Sequence, residues 1–167
     1  MIRKKLIWLP LILGLAAADL LIKQLATHFL KKNSVTIIKD WLYLDYVENK
    51  GAIFGMFSGN RIMLIIFSLL AMCVCVWMLL KDFLLYKKDG IPEKSFRNSL
   101  ITTGLCFVLG GSIGNVYQRI TLGYVVDYIH FLRPVDFAVF NLADMCVVAA
   151  TVMLFVGIIF LDRKPNE

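Results

Sequence analysis

Charge is missing from long reaches of this sequence. Ile62 to Leu80 contains no Asp, Glu, Lys or Arg, and so apolar a run at that length predicts a helix that crosses a bilayer. Cysteine is scarce. Cys73, Cys75, Cys106 and Cys146 all lie inside apolar runs, where a thiol behaves as a small hydrophobe. Cys73 and Cys75 are two residues apart and point to different helix faces, so they form neither a metal clamp nor a Cys-x-x-Cys redox pair. A strip of interleaved basic and aromatic residues is also lacking, which argues against a single-strand nucleic-acid surface.

What is present is apolar. Of 167 residues, 59% are hydrophobic and the mean hydropathy is +0.75. A soluble domain of this size cannot hide that much apolar surface, so the class is integral membrane protein. The net charge of +6 then reads as loops beside an anionic cytoplasmic leaflet.

Arg3, Lys4 and Lys5 open the chain, and an apolar run begins at Leu6. It could be a signal peptide cleaved at Ala16-Ala17-Ala18. The alternative is a first membrane helix over 6–25. Apolar residues resume after Asp19, and Lys23 sits four positions on, one turn away on the same face, where the two charges can neutralise each other. Residues 27–60 are polar enough to lie outside the bilayer. Within them Val35-Thr36-Ile37-Ile38 and Trp41 to Glu48 read as short strands rich in β-branched and aromatic residues. Leu42, Leu44 and Tyr46 share one face of the second strand, while Trp41 and Tyr43 suit a lipid–water interface. A turn-rich segment with apolar tips follows from Asn49 to Gly55, and the loop from Asn49 to Phe57 could close over a bound peptide.

Further helices are expected over 62–80, 98–117 and 137–161, with a polar loop over 81–97 and a second outer loop over 118–136. The expected architecture is a mainly α integral membrane protein. Four transmembrane helices form one domain over 1–167, with a small extracytoplasmic β-sheet between helices 1 and 2. Four spans put both termini on one side. Ten of the 18 Lys and Arg fall there, which favours cytoplasmic termini.

Helix rise places the polar residues in depth, at ~1.5 Å per residue. Asp19 lies roughly 21 Å beyond Lys5, Asn115 roughly 25 Å beyond Asn98, and Asp144 roughly 26 Å from Leu161. Against a hydrocarbon core of ~30 Å, three helices deliver polar groups to one level near the outer boundary. Asn49, Arg119 and Asp127 stand in loops that start from that level. Ionisable groups within a membrane are costly, and their gathering at one depth points to function. Each also has a bland reading. Asp19 and Lys23 can simply pair, Asp144 suits the positive end of a helix dipole, Asn141 can be a cap, and Asp127 can be a loop acid. Gly110, Gly111 and Gly114 let helices approach closely in lipid. His130 with Asp127 and Asp136 could suggest a metal site, but a lone loop histidine more often sits at the interface.

These residues fall into ordered blocks: Asp19-x-x-x-Lys23; Asn49-x-Gly51-Ala52-x-Phe54-Gly55; Gly110-Gly111-x-x-Gly114-Asn115 with Arg119; Val125-Val126-Asp127; and Phe140-Asn141-x-Ala143-Asp144. In that order, and over most of the chain, the sequence resembles the lipoprotein signal peptidase (signal peptidase II) family, the membrane aspartic peptidases of bacteria. The resemblance implies a multi-pass protein of the bacterial cytoplasmic (inner) membrane with its site toward the outer face. The implied activity removes the signal peptide of a prolipoprotein, cutting on the amino side of its diacylglyceryl cysteine. It implies Asp127 and Asp144 as the catalytic pair. Asp19, Lys23, Asn49, Gly51, Asn115, Arg119 and Asn141 would bind or support the substrate. It also implies block by globomycin. The expected protein is a monomer without metal or organic cofactor, with prolipoprotein and membrane lipid as partners. One position departs: the family has Gly-Asn-x-x-Asp-Arg, and Gln118 stands where that aspartate would be, one negative charge fewer beside Arg119.

Two rivals come from other classes. A small transporter or channel subunit would use Asp19, Lys23 and Asp144 as an ion path, but would spread polar groups through the depth and form oligomers. A scaffold with structural acids would tolerate Asp-to-Asn changes.

Overall fold

A computed structural model of the chain describes residues 8–51, 57, 59–89, 96–133 and 137–160. The elements run α1 (Trp8–Leu30), β1 (Val35–Ile38), β2 (Leu42–Asn49), α2 (Arg61–Asp89), α3 (Phe96–Thr121), β3 (Val125–Phe131) and α4 (Leu142–Phe155), with a π-helical turn over Val156–Phe160. Among the described residues four helices are long and apolar enough to cross a membrane, over Trp8–Leu30, Arg61–Lys81, Ser99–Thr121 and Leu142–Ile159. The architecture is therefore the expected one, mainly helical with four spans and a small antiparallel sheet.

Helix α1 continues unbroken through Ala16-Ala17-Ala18 and reaches Leu30, beyond the expected end near residue 25. Its buried positions explain the extra length. Ile12, Ala16, Asp19, Lys23, Ala26 and Leu30 recur every three or four residues and make one inward stripe. The last two close a small core with Val126 and Tyr128 of β3. The other flank of α1 presents Leu13, Leu21, Leu25 and Phe29 outward, as a lipid-facing surface does. A second core, deeper along the helices, joins Ile12 to Cys75 and Leu79 of α2 and to Leu105, Cys106 and Leu109 of α3. Three of the four cysteines are buried, and all four are free thiols.

Helix α3 is central and packs on α1, α2 and α4. Its glycines are the reason. A Cβ added at Gly110 would sit 2.7 Å from Leu15 Cβ of α1, and one at Gly111 would sit 2.7 Å from the Ala143 carbonyl oxygen of α4. At Gly114 it would collide with Asp19 Oδ2. Three small residues thus let α3 touch two neighbours at backbone distance.

The sheet draws on two connections, β1 and β2 between α1 and α2 and β3 between α3 and α4. Its order is β1-β2-β3, antiparallel throughout. Residues 118–136, expected as loop, supply β3, and its Val125, Val126, Tyr128, Ile129 and Phe131 are the β-branched and aromatic residues that strands favour. Pairing sets Asn49 opposite Val125 and Val47 opposite Asp127, with an irregularity between Leu44 and Val47. Leu44 and Tyr46 pack inward as expected. Trp41 lies in the β1–β2 turn rather than in β2, where its N–H bonds the Ile38 carbonyl at 3.0 Å. Helix α4 starts at Leu142, not at 137. Asn141 caps it and Phe140 bridges to Ile129, so the preceding residues extend alongside β3.

Candidate active site

The site forms where the N-terminus of α4, the last turns of α3, the middle of α1 and the ends of β2 and β3 meet. Asn141 is the N-cap of α4 and is fully buried. Its Oδ1 accepts from Asp144 N at 3.1 Å, and its own N–H donates to Asp144 Oδ2 at 3.0 Å. This reciprocal capping box satisfies two orphan helix donors. It also fixes the Asp144 carboxylate at the helix N-terminus, where the dipole favours a negative charge. Asp144 is half-buried.

Asn141 reaches the second acid as well. Its Nδ2 donates to Asp127 Oδ1 at 2.5 Å. Asn49 Nδ2, from the end of β2, donates to Asp127 Oδ2 at 2.8 Å. Asn115 Nδ2, from α3, donates to Asp144 Oδ1 at 3.1 Å. Each of the four carboxylate oxygens therefore accepts one amide N–H, and each keeps a further lone pair for a water or a peptide group. Burial pushes the Asp127 carboxyl up to about 6; the Asn49 donor pulls the other way, and the charge of Asp144 adds to the rise.

Behind the acids lies the Asp19–Lys23 pair, both residues fully buried. Lys23 Nζ donates to Asp19 Oδ2 at 2.7 Å and to Asn115 Oδ1 at 2.5 Å. Asp19 Oδ1 accepts the Ala143 N–H at 3.1 Å. The pair is thus not self-contained: it orients Asn115 on one side and the first turn of α4 on the other. In front, Gly51 N donates to Asn49 Oδ1 at 2.9 Å, and Arg119 Nη2 donates to the Gly51 carbonyl at 3.0 Å. Among the described residues Arg119 Nε is a buried donor without a hydrogen-bond partner.

All nine site residues expected from the sequence fall in one continuous network. His130 pairs with β2: its Nδ1 lies 2.6 Å from Asp45 Oδ2. Asp136 lies outside the described residues, as does most of the Asn49 to Phe57 segment expected to close over a ligand. Among the described residues no group of three His, Cys, Asp or Glu is arranged to hold a metal. Sequence reasoning missed one contributor, Tyr128, and singled out a second, Gln118, without giving it a partner. Tyr128 Oη accepts the Leu142 N–H at 3.1 Å, and burial pushes its hydroxyl up to about 12. Gln118 is buried, and its Oε1 accepts the Val126 N–H at 2.9 Å. No local signal marks Tyr128, since its partner lies on another element. The buried polar type of Gln118 beside the Asp127 strand was a signal available only once β3 was recognised.

The fold is shared with solved proteins of the membrane. One structure described as "Bacterial membrane enzyme structure by the in meso method at 2.3 A resolution" superposes with a TM-score of 0.78 over 96% of this chain and 93% of that one, at 21% identity. A second of the same description, at 1.9 Å, gives 0.73 over 91% and 92%. Fold and polar network together define a multi-pass membrane protein with an acid pair held beside a small antiparallel sheet. The chain belongs to the signal peptidase (SPase) II family, whose model matches residues 11–160. It is 32% identical over 162 residues to the lipoprotein signal peptidase of Lactobacillus johnsonii, covering 96% of this chain and 97% of that protein. It is 37% identical over 144 residues to that of Caldanaerobacter subterraneus subsp. tengcongensis, covering 85% and 88%.

Proposed function

We propose that this chain is an aspartic endopeptidase that removes the signal peptide from prolipoproteins, cutting on the amino side of a diacylglyceryl-modified cysteine. Family membership supports the peptidase activity and the prolipoprotein substrate. One observation carries the aspartic chemistry: Asn141 hydrogen-bonds both Asp127 and Asp144 and holds them as a pair.

Hydrolysis of an amide needs an activated water and a proton for the leaving nitrogen. Two neighbouring carboxylates supply both when they share one proton, because like charges a few Å apart do not both ionise cheaply. One acid takes a proton from the water as it attacks the scissile carbonyl; the other gives its proton to the departing amine. The raised Asp127 carboxyl fits a pair that shares a proton and titrates as a unit. Asn115, Asn141 and Arg119 stand as donors for the substrate backbone or the tetrahedral oxyanion. Lys23 and Asp19 keep Asn115 and the first turn of α4 in place. The diacylglycerol chains lie in lipid against the spans. The termini face the cytoplasm, and the acid pair faces the outer side of the cytoplasmic membrane.

The test uses purified protein in detergent or lipid with a diacylglyceryl prolipoprotein, followed by the mass shift on a gel. Wild type cleaves, is inhibited by globomycin and ignores chelators. Asp127→Asn and Asp144→Asn, folded, lose about 10²–10⁴-fold in rate. Unchanged cleavage by either variant would sink the pair as assigned.

A further inference from the structure

Helix α3 ends in two adjacent side chains that grip the two strands holding Asp127. Gln118 takes β3. Its Oε1 accepts the Val126 N–H at 2.9 Å, one residue before Asp127. Its backbone carbonyl accepts both Leu122 N, at 2.8 Å, and Gly123 N, at 3.2 Å. Gly123 at φ 85° provides the left-handed turn that ends the helix. Arg119 takes the end of β2: it holds the Gly51 carbonyl, Gly51 N holds Asn49 Oδ1, and Asn49 Nδ2 holds Asp127 Oδ2.

Val126 is 1% exposed. A buried backbone N–H needs an acceptor, and this one points to α3, to Gln118. Asp127 can hold its place between Asn49 and Asn141 only if the preceding peptide is fixed in rotation. An oxygen at the end of a three-carbon reach, aimed at that N–H, fixes it. The requirement is for an acceptor at that distance and not for a charge.

From this we infer that Gln118 is a positioning residue for Asp127, acting as a neutral acceptor that locks the Val125–Val126 peptide onto α3. The inference rests on the peptidase reading for its kinetic consequence and on geometry alone for its structural one. It gives the neutral side chain at position 118 a role: its acceptor reaches the Val126 N–H without placing a charge beside Arg119.

Three variants of the full chain in detergent separate the possibilities. Gln118→Leu keeps the volume and removes the acceptor. Gln118→Glu keeps the acceptor at the same reach. Gln118→Asn keeps the amide but draws it back by one carbon, and serves in place of leucine if that variant does not fold. The first readout is hydrogen–deuterium exchange of the peptide covering residues 123–128, which needs no activity. Exchange there speeds up at least tenfold in Gln118→Leu and Gln118→Asn and stays near wild type in Gln118→Glu. The second is cleavage of the lipidated prolipoprotein: kcat falls about 10- to 100-fold in the leucine and asparagine variants with KM within about twofold, and the glutamate variant recovers most of kcat. Unchanged exchange in both acceptor-deficient variants, or failure of glutamate to restore it, overturns the clamp. Altered exchange in a wild-type background that never cleaves substrate leaves the clamp standing and overturns the peptidase reading instead.

Discussion

Asn141 Nδ2 lies 2.5 Å from Asp127 Oδ1, and the same residue caps the helix that begins with Leu142 and carries Asp144. One side chain therefore does two separable jobs, ending a helix and spacing two acids. Asn141→Ser keeps a good cap but is too short to reach Asp127. The variant should unfold within a few degrees of wild type while cleaving at least tenfold more slowly. Asn141→Ala should lose the cap as well, about 1 kcal/mol. Thermal unfolding and cleavage rates of the two variants, side by side, separate the jobs.

The Asp127 carboxyl, pushed up to about 6, sets a pH limit. As pH rises through that value the pair loses the one proton it shares and with it the acid, so cleavage should drop toward tenfold per pH unit above about 6. Asn49→Ala removes a donor that favours the charged form, and this limb should move to higher pH. The stability sign is the same. A carboxyl raised above its usual ~3.9 contributes stability fully present below that value and lost as pH rises through about 6. Thermal melts from pH 4 to 8 should therefore show the site more stable at the acid end.

Gly114→Ala should be severe, because its Cβ would occupy the space of Asp19 Oδ2. Gly111→Ala, 2.7 Å from the Ala143 carbonyl, should also fail to pack α3 on α4. Gly14→Ala is the control: nothing lies within 4 Å of the added carbon, and removing a helical glycine should leave stability unchanged or raise it by up to ~1 kcal/mol. Yield of folded protein on size-exclusion in detergent ranks the three.

Lys23→Met leaves the Asp19 carboxylate buried without its cation and should cost about 3–5 kcal/mol. Adding Asp19→Leu to the same protein should recover part of that loss, since no charge is then stranded. The recovery should be incomplete because Asn115 Oδ1 and the Ala143 N–H each lose a partner. Denaturant-dependent unfolding of the single and double variants measures both steps.

The spans were legible because bilayer thickness imposes a length on an apolar run, and Ile62 to Leu80 announces itself. The convergence of Asp19, Asn115 and Asp144 was legible for the same reason, since helix rise converts sequence distance into depth. What escaped was set by partners distant in the chain. The strand from Val125 to Phe131 pairs with β2 across α2 and α3, and buried on both faces over Val125 to Tyr128 it has no alternation to announce it. The start of α4 at Leu142 depends on the Asn141 capping box and on Phe140 bridging to Ile129. Hydropathy, still high at Phe137, carries neither signal.

Asp19 and Lys23 lie four residues apart on one helix, and this has a consequence for biogenesis. Two opposite charges at that spacing meet as soon as α1 coils, without help from α3 or α4. The helix can thus enter the bilayer carrying an already neutralised pair, instead of waiting with a bare ammonium for a later segment. When α3 and α4 arrive, they offer Asn115 and the Ala143 N–H to groups that are already in position. The pair that supports the finished site also serves as a passport for the helix that carries it.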